Sequence, residues 1–300
     1  MNAEAISFGA MAGARRRAAS YLELTKPRVV TMVLLTTLVG FYLGSAEHFN
    51  FWLAINTLAG TAMAAGGTLA LNQYIERGTD ARMHRTQHRP LPEGRLTPPE
   101  ALWFGAITTA AGLVWLLLAT NALAAGVTAA ITLSYLFAYT PLKRVSWICH
   151  AVGAVPGALP PVAGWAAAAG GLGAEPWLLF AIMFLWQLPH SLSIARLYQA
   201  DYARAGIKLL PAGGKRDNRV DGVILSASVA LIAAGALPTM MGFAGRPAMI
   251  LAAGLGAVML VYGIRLARNP DAAIAARRVM FASLIYLPVV FLVLVIDRIH

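Results

Sequence analysis

Apolar residues fall along this chain in nine blocks, at about 29–46, 51–74, 101–119, 122–140, 150–168, 176–198, 222–243, 247–265 and 278–296. A helix rising 1.5 Å per residue needs a block of roughly this length to cross ~30 Å of hydrocarbon. The pattern predicts an all-α integral membrane protein of nine transmembrane helices, bundled around a central cavity open to the cytoplasmic side. Polar residues gather between the blocks, and only two such segments, 75–100 and 199–221, are long. Each carries a Leu-Pro-x-Gly sequence, Leu91-Pro92-Glu93-Gly94 and Leu210-Pro211-Ala212-Gly213, four helices apart. That repeat hints at a duplicated unit and predicts that both segments cover one cavity.

Composition agrees with the pattern. Charged residues make up 12% of the chain and the mean hydropathy is +0.64, against about 25% charged in soluble domains. The net charge of +11 could suggest nucleic acid, but the basic residues are interleaved with apolar blocks and form no basic-aromatic array, so no nucleic-acid partner is expected. Their placement has another cause. With the N-terminus inside, 22 of the 24 lysines and arginines fall in the inner segments, leaving only Arg246 and Arg298 outside. This alternation predicts an N-in, C-out topology. Residues 1–27 read as a cytoplasmic tail and 28–300 as a single transmembrane domain. Arg15, Arg16 and Arg17 have no adjacent apolar core, which argues against a secretory signal. The lipid bilayer expected is a bacterial plasma membrane, with the mitochondrial inner membrane as the alternative. The lone Cys149 excludes an intramolecular disulfide and an all-cysteine metal site.

Chemistry concentrates in three stretches. In Asn72–Leu96, Asn72, Glu76 and Asp80 are spaced four apart, which puts them on one helical face. Arg82, Arg85 and Arg89 follow. Two carboxylates and an amide beside guanidinium groups suit a diphosphate bridged by Mg²⁺, a hard cation that takes oxygen ligands; a solvated charged loop is the competing reading. In 186–211, Gln187 and His190 lie inside a span beside Pro189, which should kink it, and an imidazole at that depth is a functional candidate or a satisfied core histidine. Tyr198, Asp201 and Tyr202 stand at the inner end of that span, where Asp201 is expected to complete an acidic cluster with Glu76 and Asp80. Lys208 is a phosphate contact or an ordinary inner-loop lysine. In 139–165, Lys143 and Arg144 mark the inner interface, and Pro156, Pro160, Pro161, Gly153, Gly157 and Gly164 are expected to interrupt the fifth span. His150 has no partner visible in the sequence and reads as structural. Neither a GxxxxGK[ST] loop nor an HExxH pair occurs.

These segments together resemble the intramembrane aromatic prenyltransferase (UbiA-type) superfamily, and within it the branch that farnesylates heme. The resemblance rests on Asn-x-x-x-Glu-x-x-x-Asp with the MHRTQHRPLPEGRL run, TKPRV at 25–29, Thr36-Thr37, YTPLKR at 139–144, GALPPVAGW at 157–165, WQLPH and DYARAGIKLLP, in family order over about residues 21–222. It implies transfer of a farnesyl group from farnesyl diphosphate to a vinyl group of protoheme IX, with water completing a hydroxyethylfarnesyl side chain for a terminal oxidase or a downstream heme-modifying enzyme. It implies Mg²⁺ as cofactor, held by Asn72, Glu76 and Asp80 with Asp201 in the second motif. Arg85 and Arg89, with Lys143, Arg144 and Lys208, are the diphosphate candidates; Gln187 and His190 are the heme candidates, and Tyr198 and Tyr202 belong to the second motif. Cys149 departs from the pattern, which has asparagine there. Two rivals stand beside this reading. The same scaffold could prenylate a quinone precursor, and a transporter could use the acids on an ion path, although Asp80 and Asp201 are expected at span ends rather than at the midplane.

Overall fold

The computed structural model describes residues 3–45, 48–211, 217–269 and 273–298, with side chains from residue 13 onward. Two helices lie outside the spans: α1 (Ala3–Leu24) and the short α8 (Gln199–Arg204). The first four spans are α2 (Pro27–Gly44), α3 (Phe51–Asp80), α4 (Pro98–Ala119) and α5 (Ala122–Leu142). Next come α6 (Cys149–Ala169), α7 (Glu175–Leu197), α9 (Asn218–Met240), α10 (Arg246–Arg268) and α11 (Ala273–Ile296). Among the described residues, nine helices are therefore long and apolar enough to cross a membrane, matching the nine blocks. Their starts are written locally. Asn50 and Asn121 accept hydrogen bonds from Leu53 and Ala124 amides, Asp217 from Arg219, and Thr97 with Glu100 forms a capping box at α4.

Three details add to or depart from the expectations. The tail carries a helix: α1 packs Leu24 against Ala70, Leu96 and Ala101, a contact between distant residues that periodicity cannot show. The second span runs six residues past the predicted end at 74, so Asn72, Glu76 and Asp80 all sit on one continuous helix. The fifth span is less interrupted than its prolines suggest, being helical at Cys149–Ala158 and Pro160–Ala169 and broken only at Leu159. Prolines at the start of the second half need no amide hydrogen and are tolerated there. In α5, Ser134–Tyr139 is wound as a wide π-helical turn.

Exposure is inverted relative to a soluble protein. Trp103, Leu118, Phe137 and Ile250 face outward, while polar side chains such as Thr37, Asn72, Ser193 and Ser283 are buried. This is the arrangement a hydrocarbon solvent demands. The main apolar core joins α2, α6, α7, α9, α10 and α11 through Leu43, Trp165, Leu179, Leu231, Met259 and Tyr286. α2 and α6 cross closely because Gly40 and Gly164 lack side chains; a Cβ on Gly164 would stand 2.8 Å from the Phe41 amide nitrogen. This crossing fixes α6 beside α3 and α7 and leaves a void on their inner side.

Candidate active site

One face of α3 organises the site. Thr61, Ala65, Thr68 and Leu69 on this face line a cavity of about 270 Å³, whose other walls include Val33, Ile131, Tyr135, Pro156 and Gln187. Further along the same face come Asn72, Glu76 and Asp80, all buried. From Thr61 to Asn72 the helix climbs ~16 Å, and from Asn72 to Asp80 ~12 Å. An apolar tunnel thus ends in a polar mouth.

Each polar residue of the mouth is held by a cation from another element. Asn72 Oδ1 accepts from Lys26 Nζ at 3.0 Å, while Asn72 Nδ2 donates to Thr140 Oγ1 at 3.2 Å. Lys143 Nζ donates to Glu76 Oε1 at 2.9 Å, and Arg89 Nη1 to Asp80 Oδ2 at 2.7 Å. Lys26 sits in the left-handed region at φ 51° immediately before Pro27, a conformation non-glycine residues seldom adopt. Burial, with repulsion from Arg89 and Lys143, pulls its pKa down to about 7. Burial also works against charge on Lys143, but Tyr139 and the Glu76 carboxylate outweigh it and hold that lysine above its ordinary value.

The two long loops meet over this mouth. Arg85 donates to the Tyr202 hydroxyl at 2.9 Å and lies over the rings of Tyr198 and Tyr202. Asp201 accepts from the His84 amide at 3.2 Å and pairs with Arg204. Burial raises the Asp201 carboxyl, but the His84 amide and Arg204 outweigh it and hold the group below the usual aspartate value. Asp201 therefore clasps one loop to the other rather than joining Glu76 and Asp80. Among the described residues, no three His, Cys, Asp or Glu side chains converge as a metal site. The expected acidic cluster is replaced by acid–base pairs, since a buried carboxylate next to guanidinium or ammonium is stabilised by pairing. Mg²⁺ characteristically takes one or two carboxylates plus substrate phosphate and water, and the buried oxygen donors Asn72, Glu76 and Asp80 fit that demand. Ala212 and Gly213 of the second Leu-Pro-x-Gly, with Lys215 and Arg216, lie outside the described residues.

Other candidates are distributed differently from the expectation. Gln187 lines the cavity, with Nε2 3.5 Å from the Ala154 carbonyl. His190 does not line it: its Nδ1 lies 2.8 Å from Ser283 Oγ and its ring stacks on Trp186 at 4.9 Å. Trp186 and His190 share the α7 face turned to α11, while Gln187 and Ser191, 100° around, share the face turned to the cavity. The ring expected to touch heme is thus directed at a neighbouring helix. Arg144 reaches the Ile75 carbonyl on the outer side of α3, and the Lys208 side chain is exposed while its amide donates to the Lys143 carbonyl at 2.8 Å. Sequence reasoning missed Lys26, Thr140 and the cavity-lining Tyr135, Tyr139 and Ser191, and read His150, which also lines the cavity, as structural. Lys26 and Thr140 stand in TKPRV and YTPLKR, whose prolines were the available signal. The tyrosines could not be read, because the π-helical turn changes which face they occupy.

Comparison with known proteins gives the family and the fold. Residues 33–285 match the UbiA prenyltransferase family. The chain is 44% identical to a protoheme IX farnesyltransferase of Solibacter usitatus (strain Ellin6076), across 93% of this chain and 98% of that protein. It is 38% identical to one of Koribacter versatilis (strain Ellin345), across 93% of each. Its backbone is similar, with a TM-score of 0.77 at 18% identity, to a structure of digeranylgeranylglyceryl phosphate synthase, across 94% of this chain and 98% of that one. A UbiA homologue from Archaeoglobus fulgidus, bound to DMAPP and Mg²⁺, gives 0.66 at 20% identity across 92% and 99%. These two likenesses concern the fold.

Proposed function

The chain belongs to the UbiA prenyltransferase family, and from that premise we propose that it transfers a farnesyl group from farnesyl diphosphate to a vinyl group of protoheme IX, making heme O. The observation that carries the proposal is the single face of α3, apolar along the cavity and then polar from Asn72 to Asp80. A prenyl diphosphate has the same polarity along its length. The relatives named for heme farnesylation select the acceptor.

The residues divide the work. The hydrocarbon chain lies along Val33, Ala65 and Leu69, and the diphosphate lies at Asn72, Glu76 and Asp80. Lys26, Lys143 and Arg89 each use one hydrogen on this triad and have further N–H groups for phosphate oxygens. Glu76 and Asp80, with Asn72 beside them, would hold Mg²⁺, which would supply positive charge to the departing diphosphate. The clasp of Arg85 and Asp201 onto Tyr198, Tyr202 and His84 covers the mouth and keeps bulk water from the cation. The Tyr135 and Tyr139 rings offer π-faces to the allylic cation. The C1–O bond breaks with its electron pair leaving on the diphosphate, and the vinyl π-electrons then bond the terminal vinyl carbon to C1 of the allylic cation. Gln187, on the cavity wall, is the heme contact the geometry favours, and His190 supports α7 from behind.

We further infer an N-in, C-out orientation in a bacterial plasma membrane, with residues 28–300 acting as one domain. The product passes to a heme-modifying enzyme or a terminal oxidase. Membranes containing the protein are incubated with protoheme, farnesyl diphosphate and Mg²⁺, and the extracted heme is weighed. Heme that gains a hydroxyethylfarnesyl group, and loses the gain with EDTA, supports the assignment. Prenylated 4-hydroxybenzoate beside unchanged heme would overturn it in favour of a quinone precursor.

A further inference from the structure

A serine–histidine pair, His150 buried and Ser191 half-buried, lines the cavity and has no task in the steps above. His150 Nε2 lies 3.0 Å from the Leu209 carbonyl oxygen, and His150 Nδ1 lies 2.9 Å from Ser191 Oγ. A carbonyl can only accept, so Nε2 carries the ring proton and Nδ1 of the neutral ring offers a lone pair. The Ser191 hydroxyl proton is therefore directed at Nδ1; its other acceptor, the Leu188 carbonyl, is farther away at 3.3 Å. Ser191 Oγ keeps its own lone pairs, and both residues line the cavity. Among the described residues, the other ionisable groups on that wall are the phenols of Tyr135 and Tyr139, which are weak proton acceptors.

The pair stands at the right depth. Ser191 is six residues from the end of α7 and Asn72 eight from the end of α3, ~9 and ~12 Å from the same end of the bundle. That is where the polar mouth meets the apolar cavity, the level at which C1 of the farnesyl group must react.

We propose that Ser191 and His150 form a proton relay for the water molecule that ends the reaction, Ser191 holding the water and His150 acting through Ser191. The inference rests on the farnesylation reading. Once C1 has bonded to the terminal vinyl carbon, the positive charge sits on the vinyl carbon next to the porphyrin ring. Two fates compete there. Water can add and yield the alcohol, or the neighbouring CH₂ can lose a proton and yield an alkene. In the relay the water oxygen forms the C–O bond and gives one proton to Ser191 Oγ. The Ser191 proton passes to His150 Nδ1, leaving an imidazolium that returns its proton to solvent when product leaves. Nothing is oxidised or reduced, and water is the only added reactant. Ser191 is the catalytic residue of the pair and His150 the positioning one. The Leu209 carbonyl sets the tautomer, so the loop after α7 takes part indirectly.

The test reads the ratio of alkene to alcohol in farnesylated heme by mass, with the reaction run in H₂¹⁸O. Wild-type protein should give alcohol carrying ¹⁸O. Ser191→Ala and His150→Gln should each raise the alkene-to-alcohol ratio by about 100-fold, the lower end of what a positioned base contributes. Ser191→Thr, which keeps the hydroxyl, should restore the wild-type ratio. An unchanged ratio in Ser191→Ala overturns the relay, and so does a loss of product in His150→Gln while Ser191→Ala keeps the wild-type ratio. Wild-type protein that leaves heme unmodified would instead count against the farnesylation reading.

Discussion

Replacing Glu76 by glutamine alters one charge and almost no volume, which makes it the sharpest probe of the polar mouth. Glu76 is buried and its Oε1 lies 2.9 Å from Lys143 Nζ. At that distance the gross attraction is about 6 kcal/mol for an effective dielectric constant near 20. Glutamine keeps the hydrogen bond but leaves the Lys143 ammonium unneutralised, so the stability loss should stay below the ~3–5 kcal/mol of a fully broken buried pair. The catalytic loss has a separate origin. A preorganised group stabilising developing charge contributes about 2.7–4 kcal/mol, so kcat/KM should fall by about 10²–10³-fold and more Mg²⁺ should be needed for half-maximal rate. The assay is initial heme farnesylation by detergent-solubilised enzyme across a Mg²⁺ titration, with thermal unfolding measured on the same samples. Glu76→Gln with Lys143→Met separates the two effects. The double variant should regain stability, because no lone charge remains, but not activity. A Glu76→Gln enzyme within about threefold of wild type in kcat/KM, with unchanged Mg²⁺ dependence, would refute the assigned role.

Three further outcomes follow from particular contacts. Thr61 lines the cavity ~16 Å from Asn72 along α3, so Thr61→Phe should shorten the accepted chain and shift preference from farnesyl to geranyl diphosphate, read by competition and product mass. Gly164→Ala drives a Cβ into the Thr37 carbonyl oxygen and to 2.8 Å from the Phe41 amide nitrogen, and since backbone cannot move aside easily, it should cost about 3 kcal/mol or more, visible as a lower unfolding midpoint in detergent. The Asp201 carboxyl is held below its ordinary value, so its clasp on His84 should be intact above the usual aspartate pKa and lost as pH falls through the lowered one. Amide exchange at His84 should show that acid loosening in wild type, whereas Asp201→Ala, with no acceptor for that amide, should be loose at every pH.

The sequence alone determined the membrane architecture and the polar face of α3. Apolar block length must match hydrocarbon thickness, and fourfold spacing must place Asn72, Glu76 and Asp80 together; both are local consequences of helix geometry. Tertiary structure decided which partner each residue meets. Lys26 reaches Asn72 across 46 positions and Lys143 reaches Glu76 across 67, and these contacts depend on how helices cross, which small residues such as Gly40 and Gly164 control. The same reason explains the histidines. His190 and His150 both lie in spans, but only the rotation of α6 and α7 about their axes directs one at Ser283 and the other at Ser191 and the cavity. Periodicity fixes the angles between residues on one helix; packing alone fixes which way the helix faces.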